Sequence, residues 1–374
     1  MQQNQGDTSL PDFFMTADYL KRRKTVAAQM KSRGLDGLLV TNRANWFYLS
    51  GFTGESGGMI VTVDTTILIT DARFSLQAKQ ETHGVKIQLQ KGLLYPALGQ
   101  FLRREKLGKV GFDPRQLTVA ECQAVRKGAG TNCKTVEAQG IVEGLRRRKD
   151  AGELAVMRKA AVLADAVMER AIKMLRPGMR ESEVAAEIEY HMHKLGASGP
   201  AFETIVASGT RAALPHARPT AKRLRKNELV VLDLGVILGN YCSDMTRTVC
   251  LGRAPGRVRS WYTAVQEAQA AGVAAVQAGA SCGQVDAATR EVLKKSRLEQ
   301  YFVHSTGHGL GLEVHEEPRV ARGQEFRLES GNVITVEPGV YVEGIGGIRI
   351  EDDVAVSAKG SEVLTRLKRD LIEL

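Results

Sequence analysis

Residues 175–195, LRPGMRESEVAAEIEYHMHKL, and residues 276–296, VQAGASCGQVDAATREVLKKS, read as two copies of one motif. In each, a glycine (Gly178, Gly279) closes one apolar run and a new helical pattern opens behind it, with a valine (Val184, Val285) six residues past the glycine. Ala-rich amphipathic stretches, 153–174 and 262–277, precede the two copies. Downstream, each copy reaches an apolar strand that carries an acid: VVLDLG holds Asp233, 55 residues after Gly178, and VITVEPG holds Glu337, 58 residues after Gly279. Each strand then turns and returns with a second acid, Asp244 in NYCSDMTRTV and Glu351 in GGIRIEDDVAV. Two halves of the form helix, helix, strand hairpin are predicted to face one another about a pseudo-twofold axis. A repeat of about 100 residues indicates duplication and not a solenoid.

Outside the duplication, residues 15–135 alternate helical and strand patterns. YLKRRKTVAAQMKSRGL has apolar positions at helical spacing and stops at Gly34, while DGLLVT, MIVTV and TILIT are short apolar or β-branched runs bounded by Gly, Asp and Asn. The charged stretch GLRRRKDAGELAVMRKAA opens a long helix. The expected organisation is a flexible leader over 1–14, a small α/β domain over 15–138, and a duplicated domain over 139–374, giving an α/β (α+β) fold class. At 374 residues, 43% hydrophobic and 25% charged, the chain is long enough for two domains and reads as soluble and globular. It has no apolar run of about 18 residues to span a bilayer, and MQQNQGDTSLPDFF has no basic n-region or apolar h-region, so no membrane partner and a cytoplasmic location are expected.

The five cysteines are odd in number, dispersed, and free of CxxC pairing, which argues against a disulfide framework and a thiolate zinc site. The net charge of +10 raises nucleic acid as a partner, but the basic residues lie in short scattered clusters (21–24, 146–149, 222–226) with no interleaved aromatics. They read as solvated faces.

An acid within an apolar strand is costly to bury unless something compensates its charge. For Asp233 or Glu337 alone, an ion pair with an arginine suffices. Two hairpins with acids on both strands change the balance, because duplication would bring four carboxylates to one centre, where their repulsion demands a cation. Oxygen ligands with one imidazole suit a pair of divalent metals, with Mn²⁺, Co²⁺ and Zn²⁺ all compatible by ligand type. The loop HSTGHGLGLEVHEEP (304–318) supplies His304, His308 and His315, and His308, flanked by glycines, is the natural nitrogen donor. A metal pair bridging a water lowers its pKa and polarises a carbonyl, so hydrolysis is the expected reaction class.

At these residues the sequence resembles the pita-bread metallopeptidases, the family of Xaa-Pro aminopeptidase, prolidase, methionine aminopeptidase and creatinase. Asp233 in LDLG, Asp244 in SDMTRT, His308 in STGHGLGLEVHE, Glu337 in VEPGVY and Glu351 in IRIEDD match that family's dinuclear ligand set in order. AFETIVASGTRAALPHARPT with His216, and NWFYLSGFTGESGG with LITDARF, extend the resemblance over about residues 16–368, the latter looking like a creatinase-type amino-terminal domain. The resemblance implies two divalent ions, Mn²⁺ above all, and cleavage of the bond before proline in peptides. It makes Glu337 both ligand and proton carrier, gives His216 and His315 catalytic places around the scissile bond, and assigns His304 and Arg349 to substrate. It further implies a homodimer or higher homo-oligomer.

Xaa-Pro aminopeptidase is the most similar type; Xaa-Pro dipeptidase (prolidase) is the alternative, and a non-catalytic binding module of the same fold the remote one. His216 also reads as an ordinary loop histidine, and Arg349 as a partner of a ligand carboxylate two residues along its strand. Glu316, Glu317 and Asp352 read as ordinary polar neighbours, and His191 and His193 as helix-surface residues.

Overall fold

A computed structural model of the chain describes residues 18–374, so the leader expected over 1–14 lies outside the described residues. Two compact units divide after Arg146. The first is built on a six-stranded sheet of β1 (Gly37–Val40), β2 (Gly58–Thr62), β3 (Thr66–Thr70), β4 (Lys86–Leu89), β5 (Lys109–Phe112) and β6 (Lys134–Glu137) in the order β4-β3-β2-β1-β5-β6. The central pairs β1–β2 and β2–β3 are antiparallel, and the outer pairs β3–β4, β1–β5 and β5–β6 are parallel. Its helices are α1 (Tyr19–Ser32), α2 (Arg43–Ser50), α3 (Ser75–Glu81), α4 (Leu94–Arg104), α5 (Val119–Ala129) and α6 (Ile141–Arg146).

The division falls later than the boundary expected at 138/139, and α6 is the reason. Ile141 and Val142 are buried, Asn45 Nδ2 donates to Glu143 Oε1 at 2.7 Å, and Arg146 Nη1 donates to Asn45 Oδ1 at 2.7 Å. This short helix is therefore fastened to α2. Asp150, through a capping box with Glu153, then starts the long α7 (Ala151–Met174).

The second unit carries the duplication. α7 and α8 (Glu181–Lys194) form the first helix pair, and α9 (Gly256–Ala275) and α10 (Cys282–Lys295) the second; α9 begins six residues ahead of its expected start. Gly178 (φ +96°) and Gly279 (φ +89°) both adopt the left-handed conformation that an L side chain disfavours. Around them the two halves repeat in detail. Arg223 Nη1 donates to Gly178 O at 2.6 Å and Arg327 Nη1 to Gly279 O at 2.8 Å, and the bridges Arg180–Arg223 and Ser281–Arg327 correspond.

After short β7 (Gly199–Pro200) and β8 (Ile205–Ser208), the first hairpin runs β9 (Glu228–Leu234), β10 (Val236–Leu238), β11 (Tyr241–Cys242) and β12 (Met245–Leu251). In the second half, β13 (Gly307–Gly309) and β14 (Glu316–Val320) precede β15 (Val333–Val336), β16 (Gly339–Val342), β17 (Gly346–Arg349) and β18 (Asp352–Ser357); β19 (Gly360–Val363) and β20 (Ile372–Glu373) follow. β9 pairs with β12 and β10 with β11, as β15 pairs with β18 and β16 with β17, all antiparallel. Each hairpin is thus interrupted on both arms, at Gly235 and Ser243–Asp244 in one and at Glu337–Pro338 and Ile350–Glu351 in the other. The breaks have causes: Pro338 has no N–H for a ladder, and a Cβ on Gly235 would lie 2.2 Å from Ser243 O.

Period-two alternation decides which side chains reach the centre. Val230, Leu232 and Leu234 of β9 pack with Ala164, Met168, Val184 and Ile188 of the first helix pair, which leaves Asp233 on the opposite face. Ile334 and Val336 of β15 pack with Val285 of α10 and Val354 of β18, leaving Thr335 to the other side.

Candidate metal centre

Beneath the two hairpins lies a cavity of about 630 Å³. Its wall includes Asp233, Asp244, Glu337 and Glu351 together with His216, His304, His308, His315 and Arg349. The residues assigned in the sequence to metal, catalysis and substrate therefore all reach one chamber. Asp244, His308 and Glu351 each offer a ligand atom within 4.8 Å of the others. His308 Nε2 lies 3.6 Å from Asp244 Oδ2 and 3.4 Å from Glu337 Oε1. Because a carbonyl oxygen only accepts, the 3.1 Å contact of His308 Nδ1 with Gly309 O puts the ring proton on Nδ1 and leaves the Nε2 lone pair facing the acids.

The two halves meet through these residues. Thr246 Oγ1 donates to Glu351 Oε2 at 2.6 Å, Glu351 N to Thr246 O at 3.2 Å, and Asp244 N to Asp353 Oδ2 at 3.1 Å. Glu337 is held by its main chain, N donating to Thr306 O at 2.8 Å, and by Thr335 Oγ1 at 3.3 Å; Thr335 Oγ1 also accepts from His308 N at 3.1 Å.

Four carboxylates surround one buried guanidinium, and the electrostatics record the imbalance. Burial, then Glu351 and Asp233, drives the Asp244 carboxyl well above its ordinary range; burial, then Glu337 and Asp233, does the same to Glu351. Burial pushes Glu337 up to about 8 against the pull of Arg349. The histidines shift the other way, His308 to about 4 by burial and then His315, and His315 downward by burial and then His216. Neutral imidazole and crowded carboxylates are the state from which a divalent ion is bound. Asp233 Oδ1 is buried with no hydrogen-bond partner among the described residues, which is the position of a ligand oxygen. The residues present fit a metal.

Arg349 makes the pairing with a ligand-candidate carboxylate that was read as its alternative role, but with Asp233 of the other half. Arg349 Nη2 donates to Asp233 Oδ2 at 2.5 Å, Nε to Thr246 Oγ1 at 3.0 Å, and Nη1 to Tyr341 Oη at 2.7 Å and Pro215 O at 3.1 Å. With four donor contacts committed, it holds Asp233 and is not an open anchor for substrate. The break at Ile350–Glu351 also removes the strand alternation that would align it with Glu351. His304 Nδ1 donates to Ser305 O at 2.8 Å, so Nε2 accepts from Tyr341 O–H at 2.8 Å. Tyr341, not picked out in the sequence, therefore links His304 to Arg349; its place in VEPGVYV, on the strand directly after Glu337, was the available signal. Burial takes His304 down to about 4, with Arg349 acting in the same direction.

His216 and His315 are exposed in the cavity, and the His315 ring stands edge-on to His308 at 4.4 Å between centroids. Two of the supposed ordinary neighbours are not surface residues. Asp352 is fully buried, accepting from Arg247, Arg369, Gln269 and Thr365, and Glu316 pairs with Lys149 at 3.3 Å while lining the cavity. Glu317 is partly exposed, 3.4 Å from Arg147. His193 is exposed on α8, whereas His191 is half-buried, 3.9 Å from Glu187.

A duplicated α/β unit whose paired hairpins converge acids and one imidazole defines the pita-bread metallopeptidases. The profile of metallopeptidase family M24 matches residues 155–358, and that of the creatinase/prolidase N-terminal domain matches residues 22–148; the chain belongs to family M24. It is 35% identical to a Xaa-Pro dipeptidase of Pyrococcus furiosus over 94% of this chain and 99% of that one. Among solved structures it is similar to a Xaa-Pro dipeptidase from Bacillus anthracis (TM-score 0.92, 36% identity, 96% of this chain and 100% of that one). It is also similar to an X-Pro aminopeptidase from Thermotoga maritima (TM-score 0.85, 34% identity, 92% and 100%). No helix among the described residues is long and apolar enough to cross a membrane.

Proposed function

We propose that this chain hydrolyses the peptide bond preceding proline, with the Xaa-Pro dipeptide as its preferred substrate. Asp233, Asp244, His308, Glu337 and Glu351 hold two divalent ions, Mn²⁺ in first place. The ions, when bound, supply an acidified water and a polarised carbonyl. Glu337 takes the proton of the attacking water at a carboxylate oxygen and passes it to the leaving prolyl nitrogen. His315 and His216, exposed in the cavity, hydrogen-bond the oxygen on which charge develops. Arg349 holds and orients Asp233, and His304 shapes the wall through Tyr341.

The observation that carries the dipeptide reading is Arg319. It is exposed, lines the same cavity, and forms no side-chain hydrogen bond or ion pair among the described residues. An open guanidinium in the wall of the cavity that holds the histidines is a receptor for the free carboxylate of a dipeptide. The names of the Pyrococcus and Bacillus relatives agree with it. The aminopeptidase reading, favoured in the sequence by LSGFTGESGG and TDARF, is supported by the likeness to the Thermotoga protein. Hydrolysis of Gly-Pro and of a Xaa-Pro-Pro tripeptide by the Mn²⁺-loaded protein separates them. Faster cleavage of the dipeptide, lost in Arg319→Ala, is expected; preference for the tripeptide with no effect of that substitution reverses the assignment.

A further inference from the structure

Lys149 and Glu316 form an ion pair at 3.3 Å with side chains 1% and 6% exposed, and none of the roles above uses Lys149. We propose that this pair is a positioning element that sets His315 against His308, an inference that rests on the hydrolytic reading for its kinetic consequence.

The loop that presents His315 is wrapped around the Glu316 carboxylate. Oε1 accepts from Glu313 N at 3.1 Å and Oε2 faces Lys149 Nζ. Gly311 packs so closely against this group that a Cβ there would lie 2.7 Å from Oε2. The start of the loop is fixed by Cys242 N donating to Gly311 O at 2.8 Å and Gly311 N donating to Glu313 O at 3.1 Å. His315 is the residue next to this hub, and its ring is the one that meets His308.

Lys149 is itself anchored at a second place. Its main-chain N donates to Gly331 O at 2.8 Å, and Asn332 Nδ2 donates to Arg147 O at 2.9 Å. Gly331 and Asn332 lead directly into β15, whose end carries Thr335 and then Glu337. The ion pair therefore ties the His315 loop to the root of the strand that delivers Glu337. Its neighbour Arg147–Glu317, at 3.4 Å with side chains 30% and 51% exposed, has no such burial and serves as a control.

Stability and positioning can be separated. Removing one member of a buried pair strands the other charge, whereas neutralising both relieves that penalty. In Lys149→Met/Glu316→Gln, the glutamine still accepts from Glu313 N but the buried tie to Lys149 is gone. Full-length Mn²⁺-loaded protein is assayed on Gly-Pro for kcat and KM with bound Mn²⁺ counted, and the His315 ring is followed by NMR in ¹³C-histidine protein loaded with diamagnetic Zn²⁺, its signal assigned with His315→Gln. The double variant is expected to melt near the wild type and keep its metal. It loses roughly 10²-fold in kcat, the scale of a misplacement near 1 Å, with KM changed less, and the His315 resonance moves or broadens. Glu317→Gln leaves all of these unchanged. A double variant with wild-type kcat and an unmoved His315 signal overturns the proposal. Should the wild type cleave no proline peptide, the hydrolase reading fails on its own, and the His315 resonance still decides whether the pair positions the ring.

Discussion

Arg349 Nη2 and Asp233 Oδ2 are 2.5 Å apart, while the other oxygen of that carboxylate, Oδ1, is buried and unpartnered among the described residues. One oxygen is held by a cation of the protein, and the other is the one the proposed metal would take. The guanidinium also spans Thr246, Tyr341 and Pro215, a planar fork that a lysine cannot reproduce. Arg349→Lys should therefore weaken Mn²⁺ binding by roughly 10- to 100-fold, the usual effect of losing a group that orients a ligand. Calorimetric titration of the metal-stripped variant measures it, and wild-type affinity would mean that Asp233 needs no arginine to stay in place.

The crowding of carboxylates gives the metal-stripped protein a characteristic pH dependence. Glu337 is raised from an ordinary 4.5 to about 8, so its folded form binds the proton more tightly than its unfolded form does. Its contribution to stability is complete below about pH 4.5 and is lost as pH rises through about 8. Glu337→Gln removes that loss, so metal-free variant and wild type should diverge in Tm across this window, the variant being the more stable at pH 8. With Mn²⁺ added the order should reverse, because the variant has given up a ligand. Parallel Tm-versus-pH curves for the two metal-free proteins would contradict the assigned shift.

His308 and His315 share a ring contact but should fail in different ways. His308 turns Nε2 toward Asp244 and Glu337, whereas His315 is exposed in the cavity. His308→Ala is expected to lose bound metal and hydrolysis together. His315→Ala should keep its metal and lose turnover, by roughly 10²-fold or more if it supports the developing oxyanion. Metal analysis beside kcat makes the distinction, and loss of metal from the His315 variant would collapse the division of roles.

What could be read in the sequence follows from which interactions are repeated or local. The duplication announced the two helix pairs and the hairpins because Gly178 and Gly279, and the acids behind them, recur at matched spacing. Asp233 stood out as an acid inside the apolar run VVLDLG, matched by Glu337 in the second copy. The break after Glu337 was marked by the Pro-Gly turn of VEPG, whereas the one at Ile350–Glu351 has no local sign, so Arg349 was read beside Glu351 on its strand and its partner Asp233 in the other half was not legible. Asp352 and Glu316 were misjudged for the same reason. The partners of Asp352 come from positions 247, 269, 365 and 369, and the cation facing Glu316 from position 149, so the residues beside either acid do not show what charge it meets. Tyr341 likewise acquires its role only where His304 and Arg349 converge on its hydroxyl.

Asp352 is the acid whose loss should cost the fold most. Its Oδ1 accepts from Arg247 Nη2 and from Thr365 Oγ1, each at 2.8 Å, and its Oδ2 accepts from Gln269 Nε2 at 2.7 Å and from Arg369 Nε. Arg247 is nearly as deeply buried, and it also donates through Nη1 to Glu351 O at 2.6 Å and through Nη2 to Leu367 O at 2.7 Å. One carboxylate thus fastens the carboxy-terminal segment to the strand behind a candidate ligand. In Asp352→Ala the arginine keeps its carbonyl partners but loses its counter-charge, a change that costs about 3–5 kcal/mol when one member of a buried pair is removed. Asp352→Asn retains the shape and the acceptor oxygen and should recover part of that loss. Denaturant unfolding of the metal-free proteins, followed for the transition of the second unit, gives the values. Because Arg247 supports the Glu351 main chain, the alanine variant should also bind Mn²⁺ more weakly than wild type under conditions where it remains folded. Full stability in Asp352→Ala would mean that the cluster is solvated in a way its burial does not allow.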